Sequence, residues 1–297
     1  MELAARLAIL GDVEIEDNLL YPTPAPAPLM SLDETPTPDT PPWGTFAAIG
    51  VWVASVLFIL VIPTFFLLPY LAMQKPPITE SDKIVEFAKS DPTSIFLQIV
   101  AIIPAHLFTV LIAWLIVTQK HKFAFRQTLG WETGGFKWWQ YSVLLVGFFA
   151  VAMIVGNFFP EQENDLIRIL HSSRSAVYIV AFVATFTAPF VEEVVYRGVL
   201  YSAFQRRMGV PMAFILVTFL FAVVHVPQYY PSYSTIFLLG LLSVMLTAIR
   251  VKTGNLLPCI ILHTLFNGIQ SLLLIIEPLT KSADVPEPAA TIIHLLK

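Results

Sequence analysis

The feature that most constrains this chain is a series of apolar stretches, each long enough to cross a lipid bilayer. About 20 apolar residues in a helix, rising 1.5 Å per residue, cross roughly 30 Å of hydrocarbon. Inside lipid, only helices and closed barrels satisfy every backbone polar group. The stretches cover residues 44–72, 94–118, 138–158, 175–204, 211–229, 233–250 and 256–277. We therefore predict an all-α, polytopic transmembrane helix bundle of about seven to eight spans.

The composition agrees with a membrane protein and argues against a nucleic-acid-binding one. Hydrophobic residues make up 56% of the chain and charged residues 13%, whereas soluble domains carry about 25% charged residues. The net charge is -4, and the basic residues are scattered among the loops, so we expect no nucleic-acid partner. The single cysteine, Cys259, excludes a disulfide framework and a thiolate metal cluster. The lipid bilayer is the expected surrounding.

The chain divides into four predicted regions. Residues 1–43 contain many prolines and are predicted to be a disordered arm. Residues 44–174 would form the N-terminal transmembrane helices, with an amphipathic interfacial helix within residues 79–91. Residues 175–277 contain the polar groups described below, and residues 278–297 form a C-terminal tail.

Two acids and a base interrupt the apolar segment AFVATFTAPFVEEVVYRGVLYSAF, residues 181–204. An ionised group inside a membrane costs several kcal/mol unless it is paired or hydrated. Glu193 and Arg197 are four residues apart, a spacing that favours an ion pair on one helical face. Glu192 lies about 100° round the helix from Glu193, so its partner should come from another helix. Pro189 removes a backbone donor and should leave carbonyl groups near Glu192 without helical partners.

Two further apolar stretches each place polar side chains at a similar depth. His225 follows Phe221 by four residues, and His263 precedes Asn267 by four, so each pair shares a helical face. A lone intramembrane histidine or asparagine often serves only interhelical hydrogen bonding. An acid, two histidines and a carboxamide together are typical of a functional site.

The other histidines lie in less informative places. His106 is alone in its span and is interpreted as a packing residue, while His171 lies in a polar loop. His294, near the C-terminus, has no predicted partner.

The polar groups fit two kinds of hydrolytic chemistry. Glu192, His225 and His263 match the His₂Glu ligand set of a catalytic zinc site, which leaves one position for water. Without metal, a buried carboxylate can act as general base while the histidines and the amide orient water and stabilise an oxyanion. No HExxH, GxSxG or phosphate-binding glycine loop is present. Both routes end with water attacking a carbonyl, and the cofactor is either none or zinc.

Three motifs carry a family resemblance over residues 175–277. EExxxR, FxxxH and HxxxN occur in this order on successive apolar segments. This pattern resembles the CPBP family of CAAX-processing and bacteriocin-processing intramembrane proteases, also called Abi proteins. The resemblance implies a catalytic membrane core, with Glu192 activating water, His225 as its partner, and His263 and Asn267 on the oxyanion side. It assigns a supporting role to Glu193, Arg197 and Phe221, and the family is interpreted both as metalloproteases and as metal-free glutamate proteases.

We therefore predict an intramembrane endopeptidase that cleaves membrane-associated peptides or proteins, of either the prenylated CAAX type or the bacteriocin-like type. The expected location is a bacterial inner membrane. Two alternatives use the same polar cluster without hydrolysis: a transporter or proton-coupled carrier, and a scaffold that binds membrane partners.

Overall fold

The fold comes from a computed structural model that describes residues 35–281, and these residues form helices without any strand. The all-α prediction is therefore confirmed for this part of the chain. Two segments, π1 and π2, have the wider i→i+5 hydrogen bonding of a π-helix. The elements are α1 Thr45–Ala72, α2 Ser81–Ser90, α3 Pro92–Val100, α4 Ile102–Val117, α5 Phe125–Leu129, α6 Trp138–Phe158, α7 Asp165–Ser172, α8 Arg174–Phe182, π1 Val183–Thr187, α9 Ala188–Glu193, π2 Val194–Leu200, α10 Tyr201–Tyr229, α11 Tyr233–Thr253 and α12 Leu257–Lys281.

Six helical segments among the described residues are long and apolar enough to cross a membrane, which makes the chain an integral multi-pass membrane protein. They are Thr45–Ala72, Pro92–Val117, Trp138–Phe158, Arg174–Tyr229, Tyr233–Thr253 and Leu257–Ile276. The number differs from the predicted seven because the predicted spans 175–204 and 211–229 belong to one continuous segment of 56 residues. That segment is more than twice the length of one crossing, and its backbone is non-helical at Gly209, with φ 79° and ψ 167°. The two predicted spans correspond to its two parts.

The π2 segment lies at the centre of the bundle. It packs against α1, α4 and α11 as well as against its neighbours in the chain. All of its residues are buried, and the main apolar cluster gathers around them with residues such as Trp43, Val51 and Val217. The helix α12 packs against α8, π1 and α9. Residues of the 181–204 segment are thus enclosed by helices that come from both ends of the chain.

Residues 35–43 pack against the bundle, although the sequence analysis placed them in a disordered arm. The indole of Trp43 is 3% exposed and donates to the Val199 carbonyl at 3.0 Å. Arg206 donates to the Pro41 carbonyl at 2.7 Å, and the Gln205 amide donates to Asp39 at 2.8 Å. Because an extended proline segment has few internal hydrogen bonds, its carbonyls are available to these donors. Residues 1–34 lie outside the described part of the chain.

At the other end, the predicted tail begins inside α12, which continues to Lys281. Residues 282–297, including His294, lie outside the described residues. The helix predicted within residues 79–91 is present as α2 and has no buried residue, and its location at the membrane interface stays a prediction.

Replacing Trp43 with Phe should lower the free energy of unfolding by about 1–3 kcal/mol, because it removes the donor to a buried carbonyl and keeps an apolar ring. The matched control is Trp138→Phe, since Trp138 is 79% exposed and its replacement should cost less than about 0.5 kcal/mol. Denaturant unfolding in detergent micelles measures both. Equal effects of the two replacements would contradict this prediction.

Candidate active site

The candidate site is built on α9, a helix of six residues that lies between the two π segments. At the end of π1 the Ala188 amide donates to Val183 O, and at the end of π2 the Tyr201 amide donates to Tyr196 O. Both are i→i−5 bonds, which are rare in proteins and frequent at functional sites. The helix that carries Glu192 and Glu193 is therefore wider than an α-helix directly before and after the two acids.

Each return from π to α bonding leaves one carbonyl without a helical donor, and a side chain from another helix supplies that donor. After Val183 the next carbonyl is Ala184, whose i+5 residue is Pro189 and has no N–H. The amide of Asn267 donates to Ala184 O at 2.8 Å. This observation agrees with the prediction that Pro189 leaves carbonyls unpaired.

Where π2 returns to α-helical bonding, the carbonyl that lacks a helical donor is that of Arg197, the residue after Tyr196. It accepts from the Arg250 guanidinium, whose Nε lies 3.2 Å away. Arg250 is 1% exposed and also donates to Ser202 and to the Pro38 carbonyl. It thereby links the packed N-terminal residues to the helix of the site.

Glu193 and Arg197 form the predicted ion pair. The distance from Nη1 to Oε1 is 2.9 Å, and both side chains are fully buried. The same guanidinium donates to the Ser243 hydroxyl at 2.7 Å, the Ser243 carbonyl at 3.0 Å and Thr247 at 3.3 Å. A buried charge requires several such partners, because each unsatisfied bond costs free energy, and within this pair Glu193 Oε2 has no hydrogen-bond partner among the described residues. The Arg197 carbon Cζ also lies 4.7 Å from the centroid of the Phe221 ring, where the face of the ring attracts a cation.

His263, on α12, lies between Glu192 and Glu193. Glu192 therefore faces a residue of another helix, as predicted. The His263 Nδ1 is 2.8 Å from Glu193 Oε1, and its Nε2 is 3.9 Å from Glu192 Oε2. The Glu193 carboxylate fixes the direction of the ring, so Nε2 faces Glu192. A distance of 3.9 Å is too long for a direct hydrogen bond but allows one water to bond both atoms. The side chain of Glu192 is 24% exposed, so water has access to it.

His225 lies near this group but bonds elsewhere. Its Nδ1 is 2.6 Å from the Phe221 carbonyl, and since a carbonyl only accepts, Nδ1 carries the proton. The Phe221 ring lies between the two histidines, with centroid distances of 4.7 Å to His225 and 6.0 Å to His263. Within the described residues, His225 has no hydrogen bond or ion pair with Glu192. Of the two histidines, only His263 comes within 4 Å of the Glu192 carboxylate in the described part of the chain.

The comparison with known protein families concerns this same region. A family model described as Type II CAAX prenyl endopeptidase Rce1-like matches residues 174–269. These residues form an Rce1-like domain. The predicted resemblance to the CPBP family of proteases is confirmed for this range, which contains all three motifs. A search of curated proteins and a search of solved structures each found no match.

The side chains of the Rce1-like domain do not fit the zinc site considered above. Glu192, His225 and His263 were the predicted ligands, but among the described residues no hydrogen bond or ion pair joins His225 to Glu192, and only His263 comes within 4 Å of that carboxylate. Zinc ligands lie at about 2.0–2.2 Å from the ion, so all three ligands of one site must lie within about 4.4 Å of one another. No group of three His, Cys, Asp or Glu residues within residues 35–281 is arranged to hold a metal ion. We derive no step through a metal.

Several residues that build the site of the Rce1-like domain were missed in the sequence. Ser243, Thr247 and Arg250 all come from α11, where the four-residue spacing of the two hydroxyl residues in an apolar helix was an available signal. Arg250 was not distinguished from the other basic residues of the chain. His106 was interpreted as a packing residue, and its Nδ1 lies 2.9 Å from Thr187, the last residue of π1. Its bond is therefore structural and supports the helix that carries Glu192.

Proposed function

We propose that this chain is an intramembrane endopeptidase in which Glu192 activates water to hydrolyse a peptide bond of a membrane-associated substrate. The observation that carries the proposal is His263, whose ring is held by buried Glu193 and presents its second nitrogen to the half-buried Glu192. A packing contact needs neither a second acid behind the histidine nor an arginine behind that acid. Such layered support is typical of groups that must keep one orientation during a reaction.

The first step uses the space between Glu192 and His263. A water that bonds Glu192 Oε2 and His263 Nε2 loses a proton to the carboxylate as its oxygen attacks the carbonyl carbon of the scissile bond. The carbonyl π bond opens, and its electron pair becomes an oxyanion. The protonated Glu192 then gives its proton to the leaving nitrogen as the C–N bond breaks. The products are a carboxylic acid and an amine, and Glu192 returns to its carboxylate form.

The oxyanion requires hydrogen-bond donors that are already in place. Asn267 uses one N–H on Ala184 O, and its other N–H can serve the oxyanion. His225 holds its Nδ1 proton on the Phe221 carbonyl, which leaves its Nε2 as an acceptor for water or as a donor once protonated. Removing one such donor from a hydrolase costs about 10²–10³ in rate.

The substrate class proposed here follows the description of the family, a CAAX prenyl endopeptidase. Such a substrate ends in a prenylated cysteine followed by three residues, and its lipid brings the scissile bond to the membrane. The location of Glu192 inside a membrane-spanning segment suits a lipid-anchored chain terminus. We place the protein in a bacterial inner membrane.

Replacing His225 with Ala should lower cleavage of a peptide ending in farnesyl-cysteine and three residues by at least about 10²-fold. The assay uses protein in liposomes and detects the released tripeptide by mass spectrometry. An unprenylated peptide and a transmembrane peptide without lipid test the substrate class. Proton-driven solute flux without any new peptide terminus would contradict the proposed function and favour a carrier.

A further inference from the structure

A concave, mostly apolar groove lies between α6 and α11, on a different face of α11 from the active site. Its volume is about 340 Å³, within the range of small-molecule sites. Val244 and Ala248 line it, and each follows by one residue a side chain that bonds Arg197, namely Ser243 and Thr247. One residue corresponds to about 100° round a helix. The groove is therefore separate from the candidate active site.

One end of the groove carries polar groups, and the rest does not. Lys252, in the last turn of α11, and Gln140, in the first turn of α6, both line it. Gln140 uses its Oε1 to accept from the Lys137 amide at 2.7 Å, which leaves its NH₂ group as a donor. Along the remaining length the lining is apolar, with Val143 59% exposed and Val244 39% exposed.

The charge at that end of the groove is positive. Lys252 is exposed, and no described carboxylate lies within 4 Å of its Nζ. Glu132, in the loop before α6, is exposed and makes no such ion pair with it. Trp139 lines the same end, and tryptophan is enriched at the level of lipid headgroups. The polar end thus lies at the membrane surface, where α6 begins and α11 ends.

We infer that this groove binds one anionic phospholipid, with an acyl chain against the apolar lining and the phosphate between Lys252 and Gln140. Basic pockets between transmembrane helices recognise anionic headgroups in this way. The apolar lining suits an acyl chain from the bilayer, and Lys252 attracts a negatively charged headgroup. A zwitterionic phospholipid has an acyl chain and the same phosphate, but its own ammonium group offsets the negative charge, so Lys252 should attract its headgroup less. A soluble phosphate has the charge but no acyl chain.

The test uses Trp139 as the reporter, because its ring lines the groove. Phosphatidylglycerol or phosphatidylcholine, brominated in the acyl chain, is mixed into nanodiscs with the purified full chain, and quenching is recorded. The Trp139 signal is the difference between the unchanged protein and Trp139→Phe. We expect half-quenching at a mole fraction about fivefold lower for phosphatidylglycerol, the preference that one basic side chain near an anionic headgroup confers.

Three variants and one competitor separate this site from general attraction to the membrane. Lys252→Gln should remove the fivefold preference, while Lys122→Gln, a change of an exposed lysine outside the groove, should keep it. Ala248→Phe should reduce quenching by both lipids, because it fills the groove. Excess glycerol phosphate in solution should leave the preference unchanged.

Other outcomes overturn the inference. Equal half-quenching by the two lipids, or a preference that Lys252→Gln leaves at fivefold, would show that the groove does not select an anionic lipid. Loss of the preference in Lys122→Gln would assign it to surface charge, and loss with glycerol phosphate would assign it to a soluble anion. None of these measurements depends on peptide cleavage.

Discussion

Replacing Glu192 with Gln is expected to lower the rate of peptide hydrolysis by about 10²–10⁴-fold, the usual contribution of a general base. The amide has nearly the shape of the carboxylate, so packing around α9 is retained, but it does not take a proton from water. The side chain is 24% exposed, which makes a large loss of stability unexpected. Single-turnover cleavage by protein in liposomes measures the rate, and thermal unfolding of the same sample shows that the variant is folded.

Glu163→Gln provides the matched control for this replacement. Glu163 is exposed and lies in the segment between α6 and α7, outside the three motifs. Glu163→Gln also converts a carboxylate to an amide, and it should leave turnover within about twofold of the unchanged protein. Full turnover in Glu192→Gln would exclude this acid as the base, whatever the substrate.

The second large effect is expected at Arg197. Replacing it with Met should lower the free energy of unfolding by about 3–5 kcal/mol, since it leaves the buried Glu193 charge without its partner. The change also removes the donors to Ser243 and Thr247. Equilibrium unfolding in mixed micelles, followed by near-ultraviolet circular dichroism, measures the difference.

An exposed ion pair of similar geometry serves as the comparison. Arg168 and Asp165 approach to 2.6 Å, with side chains 56% and 41% exposed, and such pairs contribute about 0–1 kcal/mol. Arg168→Met should therefore have a small effect. The double replacement Glu193→Leu with Arg197→Met should cost less than the sum of the single replacements, because it no longer buries an unpaired charge. An additive result would contradict a direct interaction between the two groups.

The sequence was informative where spacing along one helix decides a contact. The four-residue interval predicted the Glu193 and Arg197 ion pair, and the angle between adjacent residues predicted that Glu192 would meet a different helix. Both expectations depend only on regular helix geometry. The sequence does not say whether His225 or His263 lies next to Glu192. That choice depends on how α10 and α12 pack against α9, which a single sequence does not specify.

The site features that escaped prediction all involve departures from regular helix geometry. Pro189 indicated unpaired carbonyls, but neither π segment has a signature in an apolar run such as residues 183–187. The donors that meet these carbonyls come from distant positions, Asn267 and Arg250, and only the packed structure connects them. For the same reason the contacts of residues 35–43 were unforeseen, since a proline-rich stretch has no periodic pattern to show which surface it covers.

The short helix α9 has a consequence for comparing this chain with its relatives in an alignment. A π turn holds one residue more than the α turn that it replaces, so loss of a single residue from 183–187 would restore regular bonding. That loss would rotate the preceding helix, with its lipid-exposed Tyr178 and Phe182, by about 100° relative to Glu192. In a relative with a one-residue gap at this place, Glu192 would therefore have a different orientation relative to the preceding helix, even if all three motifs were identical.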